Sequence, residues 1–299
     1  MSSDFDVCVI GSGAGGGPVA FSLASAGYSV VVLEKGPWLT EGHFTKDELA
    51  CCRRSVYTPA LRDEQHVIEE PGADHGWNAE PGEQSGWNFW NGNCVGGSSN
   101  FMSGYFHRLK PVDFKLLSTF GPIDGANVID WPIEYADLEP YYDKVERLVG
   151  VSGKAQPHAN AEPRSSADFP FPPTLEHPIS QRIDQAAQAL GFHALRVPRA
   201  ILSQPAMQRR ACEYSGFCGS YGCENDSKSS SLSTFVPKAL ATGRCTIRPM
   251  SMAQQVVLDS EGRAAGVRYV DADGEDHEVR GRLVVLACSA VESARLLLH

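Results

Sequence analysis

Short apolar runs separated by glycines and by a small-residue stretch mark the start of the chain as a βαβ unit. Phe5–Ile10 is an apolar run that ends at glycines, which predicts a buried strand. The small residues from Ala14 to about Ala26 predict a helix, and the apolar run Ser29–Leu33 predicts a second strand. Strand, helix and strand within about 30 residues are typical of a parallel α/β sheet.

The pattern is weaker in the middle of the chain. Residues 36–93 mix Pro, Gly, Trp and charged side chains, which predicts long loops over a core. Apolar residues at helical spacing predict helices over 140–150 and 178–190, and the second of these is opened by a proline and ended by a glycine. Residues 151–173, rich in Pro, Ser and Ala, predict a linker.

Strand-like runs and turns alternate in the last quarter of the chain. The turns Asp259–Gly262 and Asp271–Gly274 predict that three strands form a small antiparallel meander, and Val291–Leu298 predicts a final helix. The predicted strands are 245–248, 253–258, 265–270, 277–279 and 283–287.

Composition and charge limit the functions open to the chain. Its 299 residues, 42% hydrophobic and 21% charged, predict a folded protein with one large domain or two smaller ones. A net charge of −10 disfavours nucleic acid as a partner. No apolar stretch approaches the roughly 20 residues that span a bilayer. The first residues lack the basic start and apolar run of an export signal, so the sequence alone predicts a cytoplasmic protein without a transmembrane segment.

Three glycines between the first strand and the first helix have the spacing of a dinucleotide site. Gly11 permits a tight turn, Gly13 lets the backbone approach a pyrophosphate, and Gly16 lets helix and strand pack closely. The pyrophosphate would lie beside Ala14, where the N–H groups and dipole of the helix favour an anion. Glu34 ends the second strand, where its carboxylate can accept hydrogen bonds from ribose hydroxyls. The negative charge at this position disfavours a cofactor with a 2′-phosphate. The alternative is a Gly-rich loop in an ordinary α/β core.

A second glycine-rich segment, Gly92–Ser99, is followed by Tyr105–Arg108. Its central glycines would let backbone N–H groups approach a cofactor, and the alternative is a plain Gly/Ser turn. The segment resembles a flavin-contacting loop of the glucose-methanol-choline (GMC) oxidoreductases. We assign cofactor contacts to Lys35, which follows Glu34, and to six residues of the segment: Gly92, Val95, Gly96, Gly97, Ser98 and Ser99.

The resemblance extends along nearly the whole chain. Asp130–Tyr142 resembles the family's entry into its second domain, Lys238–Tyr269 resembles its connecting meander, and Val284–Leu298 resembles a returning strand and helix that contact FAD again. The likeness is greatest to the bacterial sugar and sugar-acid dehydrogenase branch, such as gluconate 2-dehydrogenase and FAD-glucose dehydrogenase. It implies an α/β fold with a discontinuous Rossmann-like FAD-binding domain, formed by residues 1–115 and 237–299, around an insertion at 116–236.

Two departures from the family pattern concern the flavin. Asn100-Phe101-Met102 stands where relatives often carry a His-Trp pair, and in some oxidases that His bonds covalently to the flavin. Phe101 cannot form such a bond, so the resemblance implies non-covalent FAD. Cys288 stands where the family usually has a glycine, and its small side chain is expected to fit beside the cofactor.

Three of the nine cysteines, Cys212, Cys218 and Cys223, lie within twelve residues, with glycines between them. Thiolates are natural ligands of iron–sulfur clusters, and three of them suit a three-iron cluster, or a four-iron cluster with a ligand from elsewhere. Structural zinc is a poorer fit, because it prefers four ligands. The alternative is a turn-rich loop with structural or free thiols. The resemblance favours a 3Fe-4S cluster, because the bacterial branch carries such a cluster on a cysteine-rich loop here. Of the other cysteines, Cys8 is expected in the core, and the adjacent Cys51 and Cys52 are expected at the surface.

No catalytic base can be assigned. Oxidation of an alcohol by a flavin needs a base for the hydroxyl proton. Relatives supply it with a His near the C-terminus, which the resemblance places beyond residue 299. None of the nine His residues matches that motif, and His107, beside the second glycine-rich segment, is better explained as structural. The chain is therefore expected to be a fragment, one part of an enzyme completed by another chain, or a decayed product.

The resemblance implies a dehydrogenase that oxidises a CH–OH group of a sugar, a sugar acid or another alcohol. Electrons would pass from FAD through the cluster to a cytochrome c subunit. A small partner subunit would export the protein, which would then be periplasmic and membrane-associated. The alternatives are a cluster-free alcohol oxidase, an NAD-linked reductase, or a truncated FAD-binding module without turnover.

Overall fold

The computed structural model describes residues 4–46, 67–73, 76–81, 92–158 and 161–298. The strands of these residues are β1 (Phe5–Ile10), β2 (Val30–Leu33), β3 (Val67–Pro71), β4 (Trp77–Pro81), β5 (Cys245–Arg248), β6 (Met252–Leu258), β7 (Ala264–Val270) and β8 (Asp276–Leu286). The α-helices are α1 (Gly16–Ser25), α2 (Leu116–Phe120), α3 (Tyr135–Val149), α4 (Pro178–Ala189), α5 (Phe235–Ala241) and α6 (Ala290–Leu298).

A six-stranded mixed sheet joins the two ends of the chain in the order β5-β2-β1-β8-β7-β6. β1 pairs in parallel with β2 and β8, so that Val7 lies opposite both Val30 and Leu283. β6, β7 and β8 form an antiparallel meander. The α/β fold with a Rossmann-like parallel core and a small meander is confirmed.

Both faces of the parallel core are covered, which explains its continuous apolar runs. Alternate residues of β1 point to opposite faces. Val9 packs with Val32 and Ala239 on the face that α1 and α5 cover, while Cys8 packs with Tyr269 on the other face. Cys8 is fully buried, as predicted. Because β1, β2 and β8 are parallel, their carboxyl ends lie along one edge of the sheet, where α/β proteins bind ligands.

Several predicted boundaries are wrong for identifiable reasons. α3 begins at Tyr135 and not near Pro140, because Asp137 accepts a hydrogen bond from the backbone N–H of Glu134 at 2.8 Å and so fixes an earlier start. The start of the segment predicted as meander contains helix α5. The region predicted as loops contains the hairpin β3–β4.

β8 is one strand of eleven residues, whereas the sequence predicted two short ones. Its first half pairs with β7 and its second half pairs with β1. Arg280, Gly281 and Arg282 interrupt the apolar pattern at the point where the strand changes partners. The pattern of burial therefore changes within a continuous strand, and the sequence pattern changes with it.

The chain divides into two compact units. The first takes its described residues from 1–102, 216–224 and 230–299, and the second from 103–215 and 225–229. The two units are defined by how closely their residues pack, and this does not identify which residues bind FAD. The predicted boundaries of the FAD-binding parts and of the insertion therefore stay a prediction. Across the described residues, we find no helix that is both long and apolar enough to cross a membrane. Cys51 and Cys52 lie outside the described residues.

Candidate cofactor site

A cavity of about 280 Å³ lies in the first unit, at the carboxyl edge of the parallel strands. This volume is near the lower end for small-molecule sites. Of the twelve residues assigned to cofactor contacts, three are buried without lining the cavity: Gly16, Val95 and Gly96. The other nine line it: Gly11, Gly13, Ala14, Glu34, Lys35, Gly92, Gly97, Ser98 and Ser99.

The turn between β1 and α1 requires its glycines. Gly11 has a φ of +93°, and a Cβ added there would lie 2.6 Å from the carbonyl oxygen of Ala287. A Cβ added at Gly16 would lie 1.9 Å from the carbonyl oxygen of Gly11. The first and third glycines therefore permit the tight turn and the close packing that the sequence predicted for them.

The N-terminus of α1 is arranged to receive an anion. No side chain caps it, and its first turn carries no acidic residue. Gly13, Ala14 and Gly15 line the cavity at this end of the helix. The N–H groups of a helix N-terminus and its positive dipole end favour a phosphate. The residues present therefore fit a dinucleotide pyrophosphate.

Glu34 is buried at the end of β2, with 7% of its surface exposed. Its Oε2 accepts hydrogen bonds from the backbone N–H of Ser12 at 3.0 Å and from the Ser12 hydroxyl at 2.6 Å. Its Oε1 accepts the backbone N–H of Gly36 at 3.1 Å. A carboxylate offers about four acceptor positions. One position on Oε1 is therefore left for a ribose hydroxyl.

Burial raises the pKa of Glu34, although the hydrogen bonds from Ser12 and Gly36 act in the opposite direction. The folded chain therefore holds this proton to a higher pH than the unfolded chain does. We expect the unfolding free energy of the flavin-free protein, relative to a Glu34→Gln variant, to fall as pH rises above about 4.5, the ordinary value. Urea unfolding of both proteins between pH 4.5 and pH 8 would measure this difference. A difference that stayed constant or grew with pH would contradict the expectation.

The second glycine-rich segment lies directly against the first. The backbone N–H of Gly96 donates to the Ser12 hydroxyl at 2.9 Å, and a Cβ added at Gly97 would lie 3.0 Å from the Cα of Gly13. Phe101 is buried and packs with Phe44. The structure thus brings together the two segments that the sequence placed about 80 residues apart, and both line one cavity.

Cys288 lines the same cavity from the turn after β8. Its Sγ lies 3.5 Å from the Ser293 hydroxyl, and burial raises the pKa of this thiol. The thiol is therefore neutral at ordinary pH.

The sequence did not assign Ser251–Ala253 to the site, yet these residues at the start of β6 also line the cavity. Their contribution comes from the fold of the meander and has no local motif.

The cysteine triplet is divided between the two units. Cys218 and Cys223 belong to the first unit and Cys212 to the second, and all three are partly buried. The described residues contain no group of three or more His, Cys, Asp or Glu side chains placed to hold a metal ion. The metal ligands therefore stay a prediction.

No histidine lines the cavity within the part of the chain that the structure describes. His107 lies in the second unit, where its ring stacks on Tyr105 with centroids 6.4 Å apart. The described residues accordingly offer no imidazole base at the cavity.

Comparisons with known proteins find similarity to oxidoreductases. Residues 170–299 match the family model described as GMC oxidoreductase. The chain is 33% identical to the 2-methyl-1,2-propanediol dehydrogenase of Mycolicibacterium austroafricanum over 98% of its own length and 50% of that protein's. It is 29% identical to the gluconate 2-dehydrogenase flavoprotein of Pantoea cypripedii, over 98% of its own length and 52% of that protein's. The chain thus spans about half the length of these relatives.

Solved structures show the same fold. A formate oxidase structure superimposes with a TM-score of 0.59 at 17% identity, covering 100% of this chain and 48% of the oxidase. The pyridoxine 4-oxidase of Mesorbium loti gives a TM-score of 0.56 at 17% identity, covering 98% of this chain and 51% of that oxidase. At this level of identity the likeness concerns the fold.

Proposed function

Because the chain belongs to the GMC oxidoreductase family, we propose that it binds FAD non-covalently and serves the oxidation of a CH–OH group in a sugar, a sugar acid or another alcohol. The observation that carries the proposal is the convergence of the α1 N-terminus, Glu34 and Gly92–Ser99 on one cavity. Relatives named for a diol, gluconate and fructose all take hydroxyl-bearing substrates.

The chain's own residues would hold FAD in parts. The N–H groups around Gly13 and Ala14 would bind the pyrophosphate, and the free acceptor position of Glu34 would take a ribose hydroxyl. Gly97 and Ser99 would face the flavin side of the cofactor. When bound, FAD supplies the hydride acceptor for alcohol oxidation. These residues bind and orient the cofactor, and none of them moves the substrate proton.

Identification of the bound cofactor tests this proposal. We expect the purified chain to carry about one FAD per polypeptide, released into the supernatant when the protein is denatured by acid. Free flavin can be identified by chromatography against FAD and NAD standards. Flavin that stayed with the precipitated protein would contradict the non-covalent binding. A protein that bound NAD and no flavin would overturn the proposal itself.

The finer form of the proposal adds a 3Fe-4S cluster at Cys212, Cys218 and Cys223 and a cytochrome-type electron acceptor. The spacing of the thiols and the glycines between them support it. The segment that carries Cys218 and Cys223 also bonds to Phe101, two residues after the second glycine-rich segment, since the backbone N–H of Ser220 donates to the Phe101 carbonyl at 2.9 Å. Among the described residues, no group of three or more His, Cys, Asp or Glu side chains is placed to hold a metal ion, so the cluster stays a proposal.

Iron and sulfide assays on protein purified without oxygen test the cluster. We expect about three irons per chain, and we expect each of Cys218→Ser and Cys223→Ser to lose them while keeping the flavin. Cys245→Ala, which removes a buried thiol of β5, serves as the matched control and should keep the iron. Flavin without iron in the unmodified protein would overturn the cluster and leave the FAD proposal standing.

A cluster-free alcohol oxidase is the second candidate. It is supported by relatives that are named as oxidases. Reoxidation of the reduced flavin by oxygen would support it.

A fructose dehydrogenase large subunit is among the relatives. For the dehydrogenase form we therefore propose a cytochrome c subunit and a small export subunit as partners, and with them a periplasmic, membrane-associated protein.

A further inference from the structure

Residues 229–234, which are four serines, Leu232 and a threonine, precede helix α5 and do not line the cavity described above. Ser231 is 3% exposed, and its hydroxyl donates to the backbone carbonyl of Ser12 at 2.8 Å. Its backbone N–H donates to the Ser99 hydroxyl at 2.9 Å. Ser231 therefore bonds to the first and the second glycine-rich segments at once.

These bonds close a ring. The Ser99 hydroxyl donates to the carbonyl of Gly96 at 2.6 Å, and the N–H of Gly96 donates to the Ser12 hydroxyl at 2.9 Å. The Ser12 hydroxyl then donates to Glu34 at 2.6 Å. A serine hydroxyl has one proton. Each of the three hydroxyl protons is used inside the ring or on Glu34, so Ser12 and Ser231 have none left for a ligand.

The segment also packs tightly against both glycine-rich segments. A Cβ added at Gly17 would lie 2.0 Å from the Ser231 hydroxyl oxygen, and one added at Gly96 would lie 2.7 Å from the Cβ of Leu232. Behind the ring, helix α5 packs on α1 through Phe235 and Phe21, whose ring centroids are 6.2 Å apart. The ring of hydrogen bonds is thus supported by two helices of the same unit.

From this geometry we propose that Ser12 and Ser231 are positioning residues, which fix the two glycine-rich segments and Glu34 in the arrangement that binds the cofactor. The proposal rests on the proposed FAD binding. Ser12 and Ser231 do not line the cavity, whereas the segments they join do. A binding site that is already ordered before the ligand arrives binds more tightly, because less conformational entropy is lost on binding. The two hydroxyls would therefore raise the affinity for the cofactor without lining its cavity.

The first test compares two neighbouring serines. We expect Ser231→Ala to raise the FAD dissociation constant about tenfold, which corresponds to about 1.4 kcal/mol. Ser230→Ala is the matched control: Ser230 is 5% exposed, and its hydroxyl lies 3.3 Å from that of Ser233 within the same run. The control should bind FAD within about twofold of the unmodified protein. Titration of the flavin-free 299-residue chain, followed by flavin fluorescence, gives these constants.

A spectroscopic readout separates positioning from a general loss of stability. At saturating FAD, we expect the visible circular dichroism of the bound flavin to change in Ser231→Ala and to stay unchanged in Ser230→Ala. Ser99→Ala opens the same ring, so the double variant with Ser231→Ala should cost clearly less than the sum of the two single changes. Additive losses, or equal effects of the Ser230 and Ser231 changes, would overturn the proposal.

The unmodified protein supplies a test that does not depend on a variant folding. In the flavin-free protein, the amides of Gly96 and Ser231 should exchange slowly with solvent, because both already donate to hydroxyls within the ring. Fast exchange that became slow only with FAD would overturn pre-organisation by the serines. An unmodified protein that bound no FAD would overturn the proposed function, which is a separate result.

Discussion

Replacement of Gly13 by alanine is expected to weaken cofactor binding severely while leaving the fold intact. A Cβ added at Gly13 would meet nothing nearer than the Cα of Gly97 at 3.8 Å, which is an ordinary van der Waals distance. The same atom would stand at the cavity wall beside the α1 N-terminus, where a pyrophosphate must approach the backbone. We expect the FAD dissociation constant to rise at least about 100-fold, equivalent to about 2.7 kcal/mol.

Two further glycines separate the possible causes of such a loss. Gly42→Ala makes the same chemical change in open space away from the cavity, and it should bind FAD normally. Gly16→Ala should unfold or severely destabilise the protein, because its Cβ would collide with the Gly11 carbonyl at 1.9 Å. Circular dichroism and thermal unfolding would report the fold, and flavin titration would report binding. Gly13→Ala protein that bound FAD within twofold of the unmodified protein would show that this loop does not hold the pyrophosphate.

The sequence predicts the first half of the site because its signals are local. Strand β1, the glycines and Glu34 fall within 30 residues, and each has a residue type that the local backbone or ligand requires. The position of Gly92–Ser99 came from a family resemblance. Nothing in its own pattern says that Gly96 would bond to Ser12, 84 residues earlier. A periodic pattern reports which face is buried, but it does not report which distant segment covers that face.

The hydrogen-bonded ring of Ser12, Ser99 and Ser231 could not be predicted from local sequence patterns. Ser231 reaches Ser99 across 132 residues and Ser12 across 219 residues. A run of serines has the composition of a loop, and only its burial in the folded chain identifies it as part of the site's support. The cysteine triplet has the opposite difficulty. Its spacing is an evident motif, yet Cys212 belongs to the second unit while Cys218 and Cys223 belong to the first, so its role stays a prediction.

The second unit contains a buried ion-pair network whose disruption should lower the stability of the protein substantially. Arg108 forms two hydrogen bonds with Glu146, from Nε to Oε1 at 2.7 Å and from Nη2 to Oε2 at 2.9 Å. Its Nη1 lies 2.9 Å from Oε1 of Glu139. The side chains of Arg108 and Glu146 are only 3% and 2% exposed. Arg164 also pairs with Glu146, so one carboxylate is shared by two guanidinium groups.

We expect Arg108→Met to lower the unfolding free energy by about 3 kcal/mol, the lower end of the range for breaking a buried ion pair. Glu146 keeps Arg164 as a partner, which is why the loss should not reach the upper end. Arg147→Met is the matched control on α3, since Arg147 pairs with Asp143 at 2.8 Å while 61% exposed. Exposed pairs contribute about 0–1 kcal/mol. Urea unfolding of both variants measures the difference.

The comparison between the two arginines also tests how much the buried carboxylate of Glu146 on α3 depends on Arg108. Methionine keeps most of the length and apolar stem of arginine, so Arg108→Met removes the charge and its hydrogen bonds with little loss of volume. A small effect at Arg108, equal to that at Arg147, would mean that Glu146 is satisfied by Arg164 alone. A large effect with unchanged FAD binding would show that Arg108, although it closes a stretch resembling a flavin loop, stabilises the second unit and leaves the cofactor cavity to the first.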